Sequence, residues 1–324
     1  MKTIITIGTG NSGCGSIHDF LVKSTKYKSP FKGQEFRMMD DPEGILNLYH
    51  NFYTNRSINN YSNAIMRFKN YVENLIHLEM NINGKITKVY NKEVLSLTNE
   101  YIKNITTLNY NSFPQFIAIQ TNLFKKKYFH YKKVISGNKN QSFFKMYLPV
   151  DEKIFFKQSI NYLNKIVRSQ LKNEKTDHIV LDQALNMLNF VDIFSYFKNV
   201  KVIIVTRDPR GIWNSMKSRG SLAYPHYSLK VWTAWYDQIM QQFEDYKRKI
   251  PKKYMKNILQ IKFEDFVKNY EKEQKKILSF LKIKKINNNF DIKTTEFNVF
   301  KARKELSNFE KNYIKNKLSK YLQW

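Results

Sequence analysis

The sequence predicts an α/β fold, a parallel sheet of about five strands flanked by helices. Three observations carry that reading. Short apolar, β-rich runs recur at 2–8, 178–182, 201–206 and 258–262. Helical spacing follows the first, third and fourth of them, and strands alternating with helices imply parallel pairing. Two of the strand-to-helix turns also carry residues suited to an anion, and parallel sheets bind ligands at the carboxyl ends of their strands.

The first run, KTIITIG, leads into Thr9, Gly10, Asn11, Ser12, Gly13, Cys14, Gly15 and Ser16, after which Ile17, Phe20 and Leu21 recur at helical spacing. Strand, glycine loop and helix form a phosphate cradle: glycines let backbone N–H groups turn toward an anion, and the helix dipole favours its negative charge. A tight βα turn with no ligand is the plainer alternative. Gly10 to Ser16 spells G-x-x-x-x-G-S, which lacks the lysine that a nucleoside-triphosphate loop places before its hydroxyl residue. That absence argues against ordinary triphosphate hydrolysis.

Residues 33–39 (GQEFRMM) read as the second strand, ending at Asp40, Asp41 and Pro42. Helical spacing then runs through Leu48, Phe52, Ile65, Phe68, Tyr71, Val72 and Leu75, and returns at 94–105 and 155–171. The expectation is one domain over 1–324 with a mainly helical insertion at about 45–175. The polar stretch 109–142, with Lys125, Lys126 and Lys127, reads either as a loop over an acceptor site or as a surface connection.

The second anion element is VIIVTRDPRGIWNSMKSR at 202–219. Arg207 ends the apolar run, Pro209 suits the first position of a helix, and Ser215 lies about two turns further along it. A guanidinium fork and a hydroxyl can thus converge on one anion, against the plainer reading of a solvated strand end. ILQIKFEDFV at 258–267 is a strand with an acidic turn, and 270–283 is an amphipathic helix.

The formal net charge is +28, from 55 Lys+Arg against 27 Asp+Glu. Lysine interleaves with Asn, Tyr and Ile along the whole chain, as in a compositionally biased surface, so nucleic acid is not the expected partner. A basic surface suits a polyanionic cofactor, an acidic glycan or an anionic membrane face. The single cysteine, Cys14, precludes an internal disulfide and fits a reducing compartment, with its thiolate favoured near a helix N-terminus. The first apolar stretch is too short for a signal peptide, and no apolar run reaches about 18 residues, so a cytoplasmic protein is expected. The oligomeric state is open.

Together the glycine loop and the complete R-D-P-R-x-x-x-x-S element, Arg207-Asp208-Pro209-Arg210 with Ser215, resemble the sulfotransferases that use 3′-phosphoadenosine 5′-phosphosulfate (PAPS). The resemblance spans 1–45 and 178–320 and points to a divergent, bacterial-type glycan branch. It implies that residues 10–16 hold the 5′-phosphosulfate, that Arg207 and Ser215 hold the 3′-phosphate, and that Lys301 and Arg303, in FNVFKAR, close over it. The F-E-D-F segment is similar to the family's strand and helix behind the cofactor. One departure stands out: many members carry Lys or Arg two residues before the central glycine, where this chain has Asn11.

The implied chemistry is in-line transfer of a sulfuryl group to a hydroxyl or amine of a carbohydrate or related acceptor, with one general base and no metal. Family precedent favours Glu35 as that base, with His18 second; an edge-strand carboxylate and a solvent-facing histidine are the plainer readings. Arg37, Asp182 and His226 are candidates for the acceptor side. A P-loop-like kinase, in which Asp182 would bind magnesium, is the alternative enzyme. A non-catalytic basic binding protein is supported by charge alone.

Overall fold

The computed structural model describes residues 1–82, 84–112, 127, 144–171, 176–220, 223–284, 286–287 and 289–323, with the side chains of 82, 144, 294, 297, 298 and 300–303 outside the description. In chain order the described strands are β1 (Lys2–Gly8), β2 (Glu79–Ile82), β3 (Lys85–Lys88), β4 (Thr106–Ser112), β5 (Phe144–Pro149), β6 (His178–Asp182), β7 (Val200–Thr206) and β8 (Ile258–Lys262). The chain divides into two compact units, Met1–Arg37 with Leu171–Trp324, and Met38–Gln170.

The first unit holds a parallel sheet in the order β6-β1-β7-β8, flanked by helices. β1, β6 and β7 are buried on both faces, which is why they read as continuous apolar runs rather than alternating ones, while β8 is an edge strand buried at Ile261. The helix Cys14–Ser24 turns Ile17, Phe20 and Leu21 onto Ile4, Val180 and Val205. Phe20 is fully buried, edge-on to Phe266, Tyr270 and Phe290, and burial of such a ring stabilises by roughly 1.5–3 kcal/mol. The helices Pro209–Arg219 and Leu229–Arg248 add Trp213, Trp232 and Tyr236, with Trp232 5.3 Å from each of the other two rings.

The expected second strand over 33–39 does not form, so the sheet has four strands rather than about five. Lys32 (φ 56°) and Gly33 (φ 79°) are both left-handed and break the extended run. The segment instead touches the open edge of β6 at one isolated parallel bridge, Glu35 with Asp182, and the chain before it makes another, Lys28 with Ile179. It covers that edge without extending the ladder. One consequence matters for chemistry: Glu35 is pinned beside the carboxyl end of β6.

The second unit contains the helices Ile45–Tyr49, Ile58–Leu75, Glu93–Asn104 and most of Glu152–Leu171, with two antiparallel pairs, β2–β3 and β4–β5. Phe52, Phe68, Tyr101, Phe155 and Tyr162 are buried in it. The rings of Tyr101 and Tyr162 stack at 4.2 Å, and their hydroxyls bond Ser159 and Thr98. Strand β4, TTLNYNS, is mostly exposed and polar, so no alternation announced it. Most of the stretch read as a loop over an acceptor site, 113–126 and 128–142, lies outside the described residues.

Candidate functional site

β1 sits between β6 and β7, and its last residue, Gly8, is in register with Val205 of β7. The chain therefore leaves β1 and β7 side by side at a point where strand order reverses, the crevice in which α/β sheets take ligands. Only glycine fits at position 8: a Cβ there would lie 2.6 Å from the Val205 carbonyl oxygen.

The loop is wound tightly. Asn11 (φ 61°) and Gly13 (φ 91°) are left-handed, Ser12 N donates to Thr9 O at 3.0 Å, and Ser16 N donates to Gly13 O at 3.0 Å. A side chain on Gly13 would strike the Phe263 ring, and one on Gly10 the Tyr224 ring, while Gly15 faces open space. The Cys14–Ser24 helix starts from Gly13 with no side-chain cap and no acidic residue in its first turn. Its first N–H groups, with the positive end of its dipole, can meet an anion there.

Ser12 is fully buried, and its hydroxyl occupies the space a side chain on Gly8 would need, so it faces the strand. Cys14 corrects an expectation. Burial, followed by the charge of Asp182, pushes its thiol well above the ordinary value, so it is the thiol and not the thiolate that accepts from Gln183 Nε2 at 3.1 Å.

Arg207 enters from the end of β7 and is 5 % exposed. Its Nη1 donates to Asn11 O at 2.9 Å and to Ser215 Oγ at 3.0 Å, joining the glycine loop to the Pro209–Arg219 helix. Behind it stand the Phe263 ring, 5.0 Å from the guanidinium carbon, and Glu264, 3.9 Å from Nε. Asp208 caps the helix by accepting from Arg210 N at 2.9 Å, and its two oxygens accept from Arg210 Nε and Nη2 at 2.9 and 2.8 Å. Arg210 thus neutralises Asp208, which leaves Arg207 as the arginine of this motif that faces the loop.

Glu264 accepts from Asp208 N at 3.2 Å through both oxygens, and burial pushes its carboxyl up to about 7, with Arg207 opposing the shift. A carboxyl raised on folding binds more protons folded than unfolded, so its contribution to stability falls as pH rises from about 4.5 to about 7. In Glu264→Gln that fall should vanish. The difference between wild type and variant should change by on the order of 3 kcal/mol across the window, read from urea unfolding at pH 4.5 and pH 8; parallel curves would contradict it.

Sequence reasoning missed two groups. Arg219 is exposed and donates from Nη1 to Asn11 Oδ1 at 3.1 Å. It lies one turn beyond Ser215 on the same helix face, an i,i+4 relation that was legible. Tyr224 covers Gly10, and its phenol is raised by burial, then by the charge of Glu35.

Glu35 Oε2 accepts from Arg37 Nη1 at 3.3 Å, and both side chains are about half exposed. The charge of Glu35 also raises Cys14, so this carboxylate faces the same end of the sheet as the loop. His18 is 2 % exposed, with Nε2 3.1 Å from Ser29 Oγ and Nδ1 3.6 Å from Asp19, and does not point to solvent. Asp182 is buried and accepts from Thr6 Oγ1 at 2.7 Å; its carboxyl is raised by burial. His226 Nδ1 lies 3.2 Å from Tyr224 O. The helix Ile292–Glu305 reaches the Pro209–Arg219 helix through Asn214 and Glu305 at 2.9 Å, but the side chains of Lys301 and Arg303 lie outside the described residues. Among the described residues no group of three His, Cys, Asp or Glu could hold a metal ion, and no helix is long and apolar enough to cross a membrane.

Fold and side chains together describe an α/β domain whose strand ends gather guanidinium, hydroxyl and free backbone N–H groups. A family model described as the sulfotransferase family matches residues 96–287, more than half of the chain, and the chain belongs to that family. No curated protein matches it. The match takes in β6, β7, β8, Arg207, Ser215 and Glu264, and it also reaches into the middle of the chain, where the motifs resembled nothing. The glycine loop lies before its start.

Proposed function

We propose that this sulfotransferase carries a sulfuryl group from PAPS to a hydroxyl or amine of a carbohydrate or related acceptor, at the carboxyl ends of β1 and β7. The observation that carries the reading is Arg207 Nη1, which bonds both the glycine loop and Ser215. A buried guanidinium beside a hydroxyl suits a phosphate dianion, and the uncapped start of the Cys14–Ser24 helix suits a second anionic group. The residues present therefore fit PAPS, which when bound supplies the activated sulfuryl group.

In this reading Arg207 and Ser215 hold the 3′-phosphate, and the backbone of 10–16 with the Cys14–Ser24 helix holds the 5′-phosphosulfate end. Lys301 and Arg303 remain the candidates to cover the 3′-phosphate. Glu35 takes the proton from the acceptor, and Arg37 holds Glu35 and meets acidic groups on the acceptor. Asp182 and His226 line the same end, Asp182 through Thr6 and His226 beside Tyr224. The missing loop cation is supplied from a second element: Arg219, bonded to Asn11, presents its guanidinium where many relatives place a loop Lys or Arg.

Two measurements test this. 3′-Phosphoadenosine 5′-phosphate should raise the melting temperature through mass action, with no comparable rise from ATP with magnesium or from an oligonucleotide; stabilisation by ATP with magnesium instead would favour a kinase. Arg219→Ala should leave the fold intact, because the side chain is exposed, and cut turnover by about 10²–10³-fold, the cost of removing one preorganised donor from developing negative charge. Unchanged turnover would remove Arg219 from the site.

A further inference from the structure

The opposite pole of the same sheet holds a second basic concavity. A cavity of about 1100 Å³ opens at the amino ends of β1, β6 and β7, lined by Lys2, His178, Val200 and Lys201 from those strands and by the ends of the helices Cys14–Ser24 and Tyr270–Leu281. All of it lies within the first unit. The seven residues of β1 put it roughly 20 Å from the glycine loop.

Seven lysines line this cavity, and no described lining residue is a carboxylate. Two buried polar atoms on its wall are also unsatisfied. Ser24 is 1 % exposed, and its Oγ has no hydrogen-bond partner; His178 Nε2 has none either. A buried hydroxyl without a partner is destabilising unless a ligand or water supplies one. The charges crowd one another: His178 is lowered by burial, Lys26 and Lys2 against the opposing Asp177, and Lys201 by burial and Lys282. Random surface lysine does not explain a buried hydroxyl and a buried imidazole nitrogen left without hydrogen-bond partners on the same wall.

We infer that this cavity is a second binding site, distinct from the transfer site, for a compact oligoanion bearing several phosphate or sulfate groups. A concavity of one sign of charge focuses field and concentrates counter-ions, and its volume suits a small molecule rather than a duplex. The lysines meet the anionic groups, and Ser24 Oγ and His178 Nε2 offer the oriented contacts that a bare charged surface lacks. Nothing in this site depends on PAPS.

The test uses the full chain at physiological salt, with inorganic tripolyphosphate and a multiply sulfated disaccharide as calorimetric probes. At least one should bind, and which one separates a phosphate from a sulfated-sugar ligand. Lys26, Lys198 and Lys256, all exposed, changed together to Gln should weaken that binding about tenfold or more. Changing Lys69, Lys103 and Lys153, exposed on the other unit, removes the same charge and should leave it unchanged. Ser24→Ala, which deletes one atom, should weaken binding with the melting temperature held. Failure of both probes, equal loss in the control triple, abolition by Arg219→Ala, or tighter capture of a duplex oligonucleotide at these lysines would each overturn the inference. Binding that survives a failed 3′-phosphoadenosine 5′-phosphate assay would leave it standing alone.

Discussion

Arg207→Ala should abolish stabilisation by 3′-phosphoadenosine 5′-phosphate and also cost the unliganded protein about 3–5 kcal/mol, the price of leaving a buried charge without its partner. Both effects follow from one geometry. Arg207 is the cation against Glu264, which is 1 % exposed, and it is the donor that joins Asn11 to Ser215. The two roles separate experimentally. With Arg207 gone the Glu264 carboxyl rises further above about 7, so the stability loss should be large at pH 8 and small at pH 5, where the group is protonated. Arg207→Ala combined with Glu264→Gln should recover much of the stability while binding stays lost. Ser215→Ala should weaken binding alone, by about 1.5–3 kcal/mol, the range for a hydrogen bond to a charged group. Recovery of ligand binding in the double variant would show that Arg207 acts only as a structural cation.

The parts of this architecture that are local in sequence were legible. β1, β6 and β7 announce themselves because strands buried on both faces must be apolar throughout. Arg207 stands just before the Pro209–Arg219 helix and Ser215 lies about two turns along, so their spacing alone predicts convergence. The rest depends on long-range contacts. Segment 33–39 has strand-like composition, yet two left-handed residues at 32 and 33 confine it to one isolated bridge, at Glu35. Cys14 lies at a helix start, where the dipole favours thiolate, but burial beside Asp182 outweighs the dipole. Glu264 was visible as part of an acidic turn; that it stands behind Arg207, with its carboxyl pushed up to about 7, depends on β7 and β8 being neighbours. Arg219 was legible as the i,i+4 neighbour of Ser215, but its bond to Asn11 was hidden because the two are far apart in sequence.

Glu35→Gln should bind 3′-phosphoadenosine 5′-phosphate normally and lose about 10²–10⁴-fold in turnover, the usual worth of a positioned general base. Among the nearby candidates Glu35 is the one that combines reach with exposure. His18 is 2 % exposed and Asp182 is 8 % exposed, and each already faces a hydroxyl partner, Ser29 or Thr6. His18→Ala should therefore lower stability more than rate. Glu35 instead stands about half exposed at the carboxyl end of β6, beside Arg37, and its charge is felt at Tyr224 over the glycine loop. Arg37→Ala should give an intermediate rate loss, because it frees the carboxylate from its orienting partner without removing it. Single-turnover rates with bound donor and saturating acceptor separate this from any change in donor affinity. If Glu35→Gln turns over normally while 3′-phosphoadenosine 5′-phosphate still binds, the base is another group and the Arg207–Ser215 assignment is untouched.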